Sequence, residues 1–429
     1  MVRAFARGVR VVSTGHFRRQ AGRARPPEGP RRKRRLGTWK RRLGGAALAV
    51  LVFLLAFAAA GCGSSKKSGS AMQKSVGAGE GKLNLIAWAG YVEDGSTDPK
   101  VNWVSPFEKA TGCNVKVTVA GSSDEMVTLM RTGNYDGVSA SGDASRRLVA
   151  GGDVAPVNVD LVPNYKDVIP ALKDQPYNTV DGVHYGIPHG RGANLLMWRT
   201  DKVKPAPKSW SVVFDPNSPY KGHITAYDRP IYIADAAVYL KAHDPNLEIT
   251  NPYELDGEQF NAAVALLKQQ RRIAGEYWTD ATKEIQAFTS GSTLLGTAWQ
   301  YQANTLEASK PPVPVKAILP KEGSTGWSDT WMIHSKAKHP NCMYKWFDYV
   351  ISPKVQAQIA EWFGEAPANV KACALTENKD HCKIFHATDE PYFKKVALWQ
   401  TPVADCGDDR GKKCKDYSQW SQAWTEIKG

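Results

Sequence analysis

The sequence predicts an α/β protein in two lobes, and three observations carry that expectation. Strand and helix patterns alternate through the first folded stretch. About 350 residues follow a polar linker, more than one hydrophobic core normally serves. No internal repeat divides them.

The elements follow in order. Leu83–Trp88 (LNLIAW) is a short apolar strand, and a helix over Val101–Thr111 is stopped by Gly112. Asn114–Ala120 (NVKVTVA) alternates apolar and polar residues with period two, as a half-buried strand does. Ser123–Thr132 carries acids in its first turn and a stripe of Met126, Leu129 and Met130, which predicts a second helix. Tyr135–Val138 is the next strand, and this strand–helix alternation requires a parallel sheet with right-handed crossovers. Val183–Pro188 and Asn194–Trp198 read as strands able to carry the chain between lobes. Gln259–Gln269 is an amphipathic helix, and Leu294–Trp299 and Trp331–Ile333 are short apolar strands. Met343–Val350 and Pro353–Phe363 read as paired helices, with Pro353 at a permitted first-turn position.

The charge lies ahead of the fold. The chain holds 56 Lys+Arg and 42 Asp+Glu, a formal +14. Residues 1–42 contain 15 of the bases and one acid, leaving 41 of each for the rest. The basic character therefore belongs to a leader, which excludes a nucleic-acid footprint on the mature protein. A basic stretch ending in Lys40-Arg41-Arg42, an apolar run over 43–60 and small residues before a cysteine give residues 1–61 the layout of a signal peptide. A transmembrane helix is the competing reading, since 18 apolar residues approach spanning length. The small residues at the ends of the run and the polar linker beyond it argue against that. Ala59-Ala60-Gly61-Cys62 resembles the bacterial lipobox, although Ala59 stands where Leu is usual. Cys62 is thus expected to be lipidated, with residues 62–82 forming the anchor and a flexible Gly/Ser/Lys tether.

Six further cysteines, an even count in an exported chain, suggest disulfides; six allow 15 connectivities. Spacing favours the local pairs Cys373–Cys382 and Cys406–Cys414, which leaves Cys113–Cys342. A metal site at His381, Cys382 and His386 is the weaker alternative, having no CxxC pairing. Neither a metal nor another cofactor is expected.

No GxSxG, HExxH or Walker loop is present, and nothing supports catalysis. Tryptophan is abundant instead: 13 of the 14 lie beyond the leader, several beside carboxylates. Most should be core. Trp88 near Glu93 and Asp94, and Trp327-Ser328-Asp329, also suit an aromatic box for an organic cation, because an ammonium over an indole face gains roughly 0.5–2 kcal/mol.

Over its length from about Leu83 the chain resembles the spermidine/putrescine-binding proteins of ABC importers. The stretches that carry the resemblance are LIAWAGYV (85–92), EKATGCNV (108–115), YDGVSAS (135–141) and YGIPHGRGANLLMW (185–198), then SGSTLLGTAWQ (290–300), LPKEGSTGWSDTWMI (319–333), ISPKVQAQIAEWFGEAPAN (351–369) and WQ (399–400). The resemblance implies a periplasmic-binding-protein-like fold: two lobes, each with a mixed, mainly parallel sheet flanked by helices, joined by crossover strands. Lobe one would be 83–195 plus 328–372, and lobe two 196–327 plus 373–429. It implies aromatic walls at Trp88, Tyr91, Trp299 and Trp327, a central carboxylate at Asp329, a polar group at Ser141, a distal acid at Asp228 and an amide at Gln400. The chain departs from the pattern at Asp143 and Glu365, acids where the family has aromatics, and at Ile231, which replaces a second distal acid. Asp143 and Glu365 accordingly join the candidate site. The expected function is capture of a polyamine-like cation outside the membrane by a lipid-anchored monomer, and its delivery to a permease. A quaternary amine, amino-acid-like or sugar ligand is the alternative, with Arg191 counting mildly for a carboxylate.

Overall fold

A computed structural model of the protein describes residues 72–429; the predicted signal peptide and Cys62 lie outside the described residues. Strands β1 (Lys82–Ala87), β2 (Asn114–Val119) and β3 (Gly137–Ala140) come first. A hairpin of β4 (Thr179–Val180) and β5 (Val183–His184) precedes β6 (Ile187–Pro188), β7 (Gly190–Ala193) and β8 (Leu195–Arg199). Then come β9 (Ile224–Tyr227), β10 (Ala274–Trp278), β11 (Leu295–Ala298) and β12 (Val315–Ile318). The last four are β13 (Ser324–Trp327), β14 (Thr330–Ile333), β15 (Ala366–Pro367) and β16 (Val396–Leu398).

They form two five-stranded sheets, ordered β2-β1-β3-β14-β6 and β10-β9-β11-β8-β12. Each is mixed: β1 pairs in parallel with β2 and β3, and β9 with β10 and β11, while the remaining pairs run antiparallel. The opening β1–β2–β3 unit follows the predicted pattern, because its helices supply the crossovers. The helix Ser123–Arg131 starts where Ser122 Oγ accepts from the Glu125 amide, and the helix Val104–Thr111 ends at Gly112, whose φ of 70° suits glycine. A later helix, Gly257–Arg271, runs two residues beyond the apolar pattern at each end. A capping box sets its start: Asp256 accepts from the Gln259 amide, and Gln259 Oε1 accepts from the Asp256 amide.

A third, four-stranded sheet, β15-β7-β13-β16, lies where the chain changes sheets. Strand β7 leads from β6 in the first sheet to β8 in the second, and β13 leads back from β12 to β14. Two bonds tie these crossings together: Asn194 Nδ2 donates to Thr325 Oγ1, and Ser328 Oγ to the Gly190 carbonyl. Each main sheet carries its own core. One holds Phe107, Trp331, Trp346 and Phe347; the other holds Trp198, Trp210, Trp278 and Trp420.

All three expected disulfides are present. Cys113–Cys342 is buried in the first core, and Cys373–Cys382 and Cys406–Cys414 close short loops. Cys382 is thereby committed, and the metal alternative at that position falls away. Among the described residues no helix is long and apolar enough to cross a membrane.

Candidate functional site

The site is built from strand ends. In the first sheet the chain leaves β1 at Trp88 to Tyr91, β2 at Ala120 and Gly121, and β3 at Ser141. In the second it leaves β9 at Tyr227 to Arg229, β10 at Thr279 to Thr282, and β11 at Trp299. Residues from all six ends line one cavity of about 310 Å³. These are the C-terminal ends of parallel strands, where open α/β sheets place their ligands. The crossover segment adds Trp327 and Asp329, the helix Pro353–Phe363 contributes Trp362 and Phe363, and Trp399 follows β16. Five of the 13 described tryptophans line the cavity and the other eight pack elsewhere, so the expectation that most are core holds.

The walls are aromatic and fixed. Trp299 and Trp327 meet at 68° with centroids 6.1 Å apart, and Tyr227 stacks on Trp399 at 5.5 Å. A hydrogen-bond chain holds Trp299: its Nε1–H donates to Asn194 Oδ1, Asn194 donates to Thr325, and Thr325 donates to Asp235 Oδ1. Burial pushes the Asp235 carboxyl up to about 8, so this chain ends on a neutral acid. Gly192 makes room for Trp327; a Cβ there would sit 2.5 Å from the indole ring.

Asp329 is the acid of the site. It is 4 % exposed, Oδ2 accepts from the Tyr91 hydroxyl at 2.8 Å, and Oδ1 has no hydrogen-bond partner among the described residues. Burial pushes its pKa up to about 6, with Ser141 and Tyr91 pulling it down and Asp143 pushing it further up. An uncompensated buried carboxylate is costly, and a cation placed against it would relieve that cost. Tyr91 is itself buried and stacked at 3.8 Å on His189. His189 Nδ1 accepts from Trp331 Nε1, and burial lowers its pKa to about 3, which leaves a neutral ring with the proton on Nε2.

The structure brings Trp88, Tyr91, Ser141, Trp299, Trp327 and Asp329 to the cavity and leaves the other four candidates off its lining. Asp143 lies behind the wall, its Oδ1 accepting from Ser123 Oγ at 2.8 Å, and burial pushes it up to about 6. Asp228 turns to the C-terminal helix Tyr417–Lys428, where Lys428 Nζ lies 2.5 Å from Oδ2 and Trp424 Nε1 donates to Oδ1. Glu365 is fully buried beside Gly190 and the His189 Nε2, 3.4 Å from Oε1. Gln400 is half-buried, and its neighbour Trp399 takes the place on the wall. Arg191 lies over the Phe393 ring and pairs with Glu390, a structural role. Sequence reasoning missed Tyr227, Arg229, Trp362, Phe363 and Trp399. Tyr227 and Trp399 had a readable signal, since each ends or directly follows a strand.

The pattern that defines the bacterial extracellular solute-binding proteins matches residues 102–384. The chain belongs to that family. It is 23 % identical over 360 residues to the putrescine/cadaverine-binding protein of Pseudomonas aeruginosa, covering 81 % of this chain and 93 % of the relative. Against the putrescine-binding periplasmic protein PotF of Escherichia coli it is 25 % identical over 386 residues, covering 84 % and 96 %. The fold is similar to that of the spermidine/putrescine ABC transporter substrate-binding protein PotD from Streptococcus pneumoniae, with TM-score 0.62 at 18 % identity over 81 % of this chain and 97 % of that one. It is likewise similar to the Tp0655 lipoprotein of Treponema pallidum, with TM-score 0.64 at 15 % identity, 81 % and 99 %. The two-lobed periplasmic-binding-protein architecture is therefore the fold of this chain.

Proposed function

We propose that this protein captures a small organic cation of the polyamine class outside the membrane and hands it to the permease of an ABC importer. The observation that carries this is Asp329: a buried carboxylate with one oxygen unpartnered among the described residues, in a cavity walled by indoles. Such a site supplies a counter-charge for an ammonium and flat apolar faces for its methylenes. The relatives' printed ligands, putrescine, cadaverine and spermidine, have that chemistry. The role is binding, with no bond made or broken. Lobe one would comprise 83–195 and 328–372 and lobe two 196–327 and 373–429, closing on the ligand as a clamp. A lipid on Cys62 and the tether behind it would hold a monomer at the outer face of the cytoplasmic membrane. The expected tether is shorter than the 62–82 segment, because Gln73 and Gly77 bond to Asn341 and Glu80 accepts from the Asn341 and Cys342 amides, which ties residues 73–80 to the folded part.

The test is a thermal-shift screen of the mature chain against amines, amino acids, sugars and carboxylates. A ligand bound only by the folded state adds about 2.7 kcal/mol at a hundredfold excess over its Kd. Putrescine or spermidine should raise Tm at micromolar concentration. A shift with a sugar and none with any amine would overturn the ligand class while leaving the fold intact.

A further inference from the structure

Two acids line the cavity, one at each end. At its buried floor stands Asp329, with Tyr91 and Ser141, its Oδ1 unpartnered among the described residues. At its mouth, among the exposed Val119, Gly121 and Thr279, stands Asp280. Asp280 caps the helix Ala281–Ser290 with a single oxygen: Oδ1 accepts from the Thr282 and Lys283 amides. Its Oδ2 has neither a hydrogen bond nor an ion pair among the described residues. The Tyr301 hydroxyl, on the same wall, is pushed up by burial and by the Asp280 charge, with a hydrogen bond to Thr305 opposing, so this acid acts on the aromatic wall. The other candidate acids are withdrawn: Asp228 is neutralised by Lys428, and Asp143 and Glu365 lie off the lining. Among the described residues the lining has one cation, Arg229, which donates from Nη1 to the Asp228 carbonyl and from Nη2 to the Gly121 carbonyl at 2.8 Å.

We propose that Asp280 is the distal pole of the site: a polyamine seats one ammonium on Asp329 and a second on Asp280, with its methylenes along the indoles between. This rests on the proposed capture of a cation at Asp329 and names the residue that tells a dication from a monocation. An ionised carboxylate has lone pairs on both oxygens, so capping the helix through Oδ1 leaves Oδ2 to receive an ammonium. The two acids also belong to different sheets, since Asp329 precedes β14 of the first and Asp280 follows β10 of the second. A dication therefore ties the two sides of the cleft together, and a monoamine does not. Magnitudes rank the two poles. Asp329 is buried, where a charge pair is strong, whereas Asp280 is exposed, where water and salt screen it. The like charge of Arg229 at the mouth reduces the gain further. The second ammonium should thus add a modest, salt-sensitive preference to an affinity set at Asp329.

Calorimetric titration of the processed full-length chain with putrescine against butylamine, and cadaverine against pentylamine, tests this, because each pair differs by the second ammonium. In at least one pair the diamine should bind about fivefold more tightly at about 0.02 M salt, the size of an exposed ion pair, and less than about twofold more tightly near 0.5 M. In Asp280→Asn the low-salt advantage should shrink to within about twofold while monoamine affinity is unchanged. Asparagine keeps the Oδ1 acceptor and with it the helix cap, and an unchanged ligand-free Tm would show the variant is folded. Asp280→Ser, with another capping residue, should repeat the result. A diamine advantage that survives in both variants, or one absent from wild type in both pairs, would overturn the inference and leave capture at Asp329 standing. Binding by none of the four amines would overturn the proposed function itself.

Discussion

Asp329 and Asp228 are both acids beside a Trp- and Tyr-rich cleft, and they end in opposite electrical conditions. Asp329 has a neutral tyrosine as partner and an oxygen left over, while Asp228 has an ammonium on one oxygen and an indole N–H on the other. The first is a charge waiting for a counter-ion and the second has one built into the chain. Whether a carboxylate can bind a ligand depends on what the fold has already placed against it.

The sharpest way to break this contrast is Asp329→Asn. Affinity for the cationic ligand should fall roughly 100-fold, as when one partner of a buried charge pair is removed. The same variant should be more stable without ligand near neutral pH, by on the order of 2–3 kcal/mol from a carboxyl raised to about 6. Calorimetry and ligand-free melting read the two effects, and a variant that binds normally would remove Asp329 from the site. Next in size is Trp327→Ala, expected to weaken binding about tenfold through loss of the indole face; unchanged affinity in titration would assign that indole to packing alone.

Acidification sharpens the contrast by protonating only the open acid. With its folded pKa near 6, Asp329 must lose a proton to pair with a cation, so affinity should be about tenfold weaker near pH 5 than near pH 7. The ligand-free protein should respond in the other sense. A carboxyl whose folded pKa is raised binds its proton more tightly when folded, so its contribution to stability grows as pH falls from about 6 toward 4. Comparing denaturation of wild type and Asp329→Asn across that range isolates the effect; parallel curves would contradict it. The smallest effect belongs to Asp228→Asn. Affinity should stay within about twofold and stability should fall by no more than about 1 kcal/mol, because its pair with Lys428 is part-exposed and screened. A large loss of binding would place Asp228 back in the site.

These differences mark what sequence could and could not reveal. The β1–β2–β3 opening was legible because the period of its apolar residues survives without tertiary knowledge. Trp88 and Trp299 were legible at the site because each stands at the end of a strand readable in the sequence and so emerges at the cleft, whereas Ser141 came only through the family resemblance. Asp143, Asp228 and Glu365 were not legible, because the availability of each is set by remote partners. Asp228 is neutralised by a residue 200 positions later, and Glu365 fits only because Gly190 lacks a side chain. Asp143, in the first turn of the helix Gly142–Gly151, spends its Oδ1 on Ser123, 20 positions earlier. Gln400 and Trp399 show the finest limit, where one position along the chain decides which side chain reaches the wall.

Strand β14 bears on how the molecule comes into being. It lies between β3 and β6, just over 140 residues after β6 in the chain, whereas the second main sheet runs from Leu195 to Ile318 without interruption. As the chain is synthesised, the second sheet therefore has all its strands while the first still has a gap beside β3. The bridge from Cys113 to Cys342, 229 residues apart, must wait just as long for its partner thiol. Until then the early cysteine is a free nucleophile and the β3 edge, on the far side of β1 from it, lacks its neighbour, the conditions in which mispaired thiols and strand-to-strand association between neighbouring chains arise. Chaperone and oxidase access at that interval, rather than the final fold, would then govern the yield of this protein.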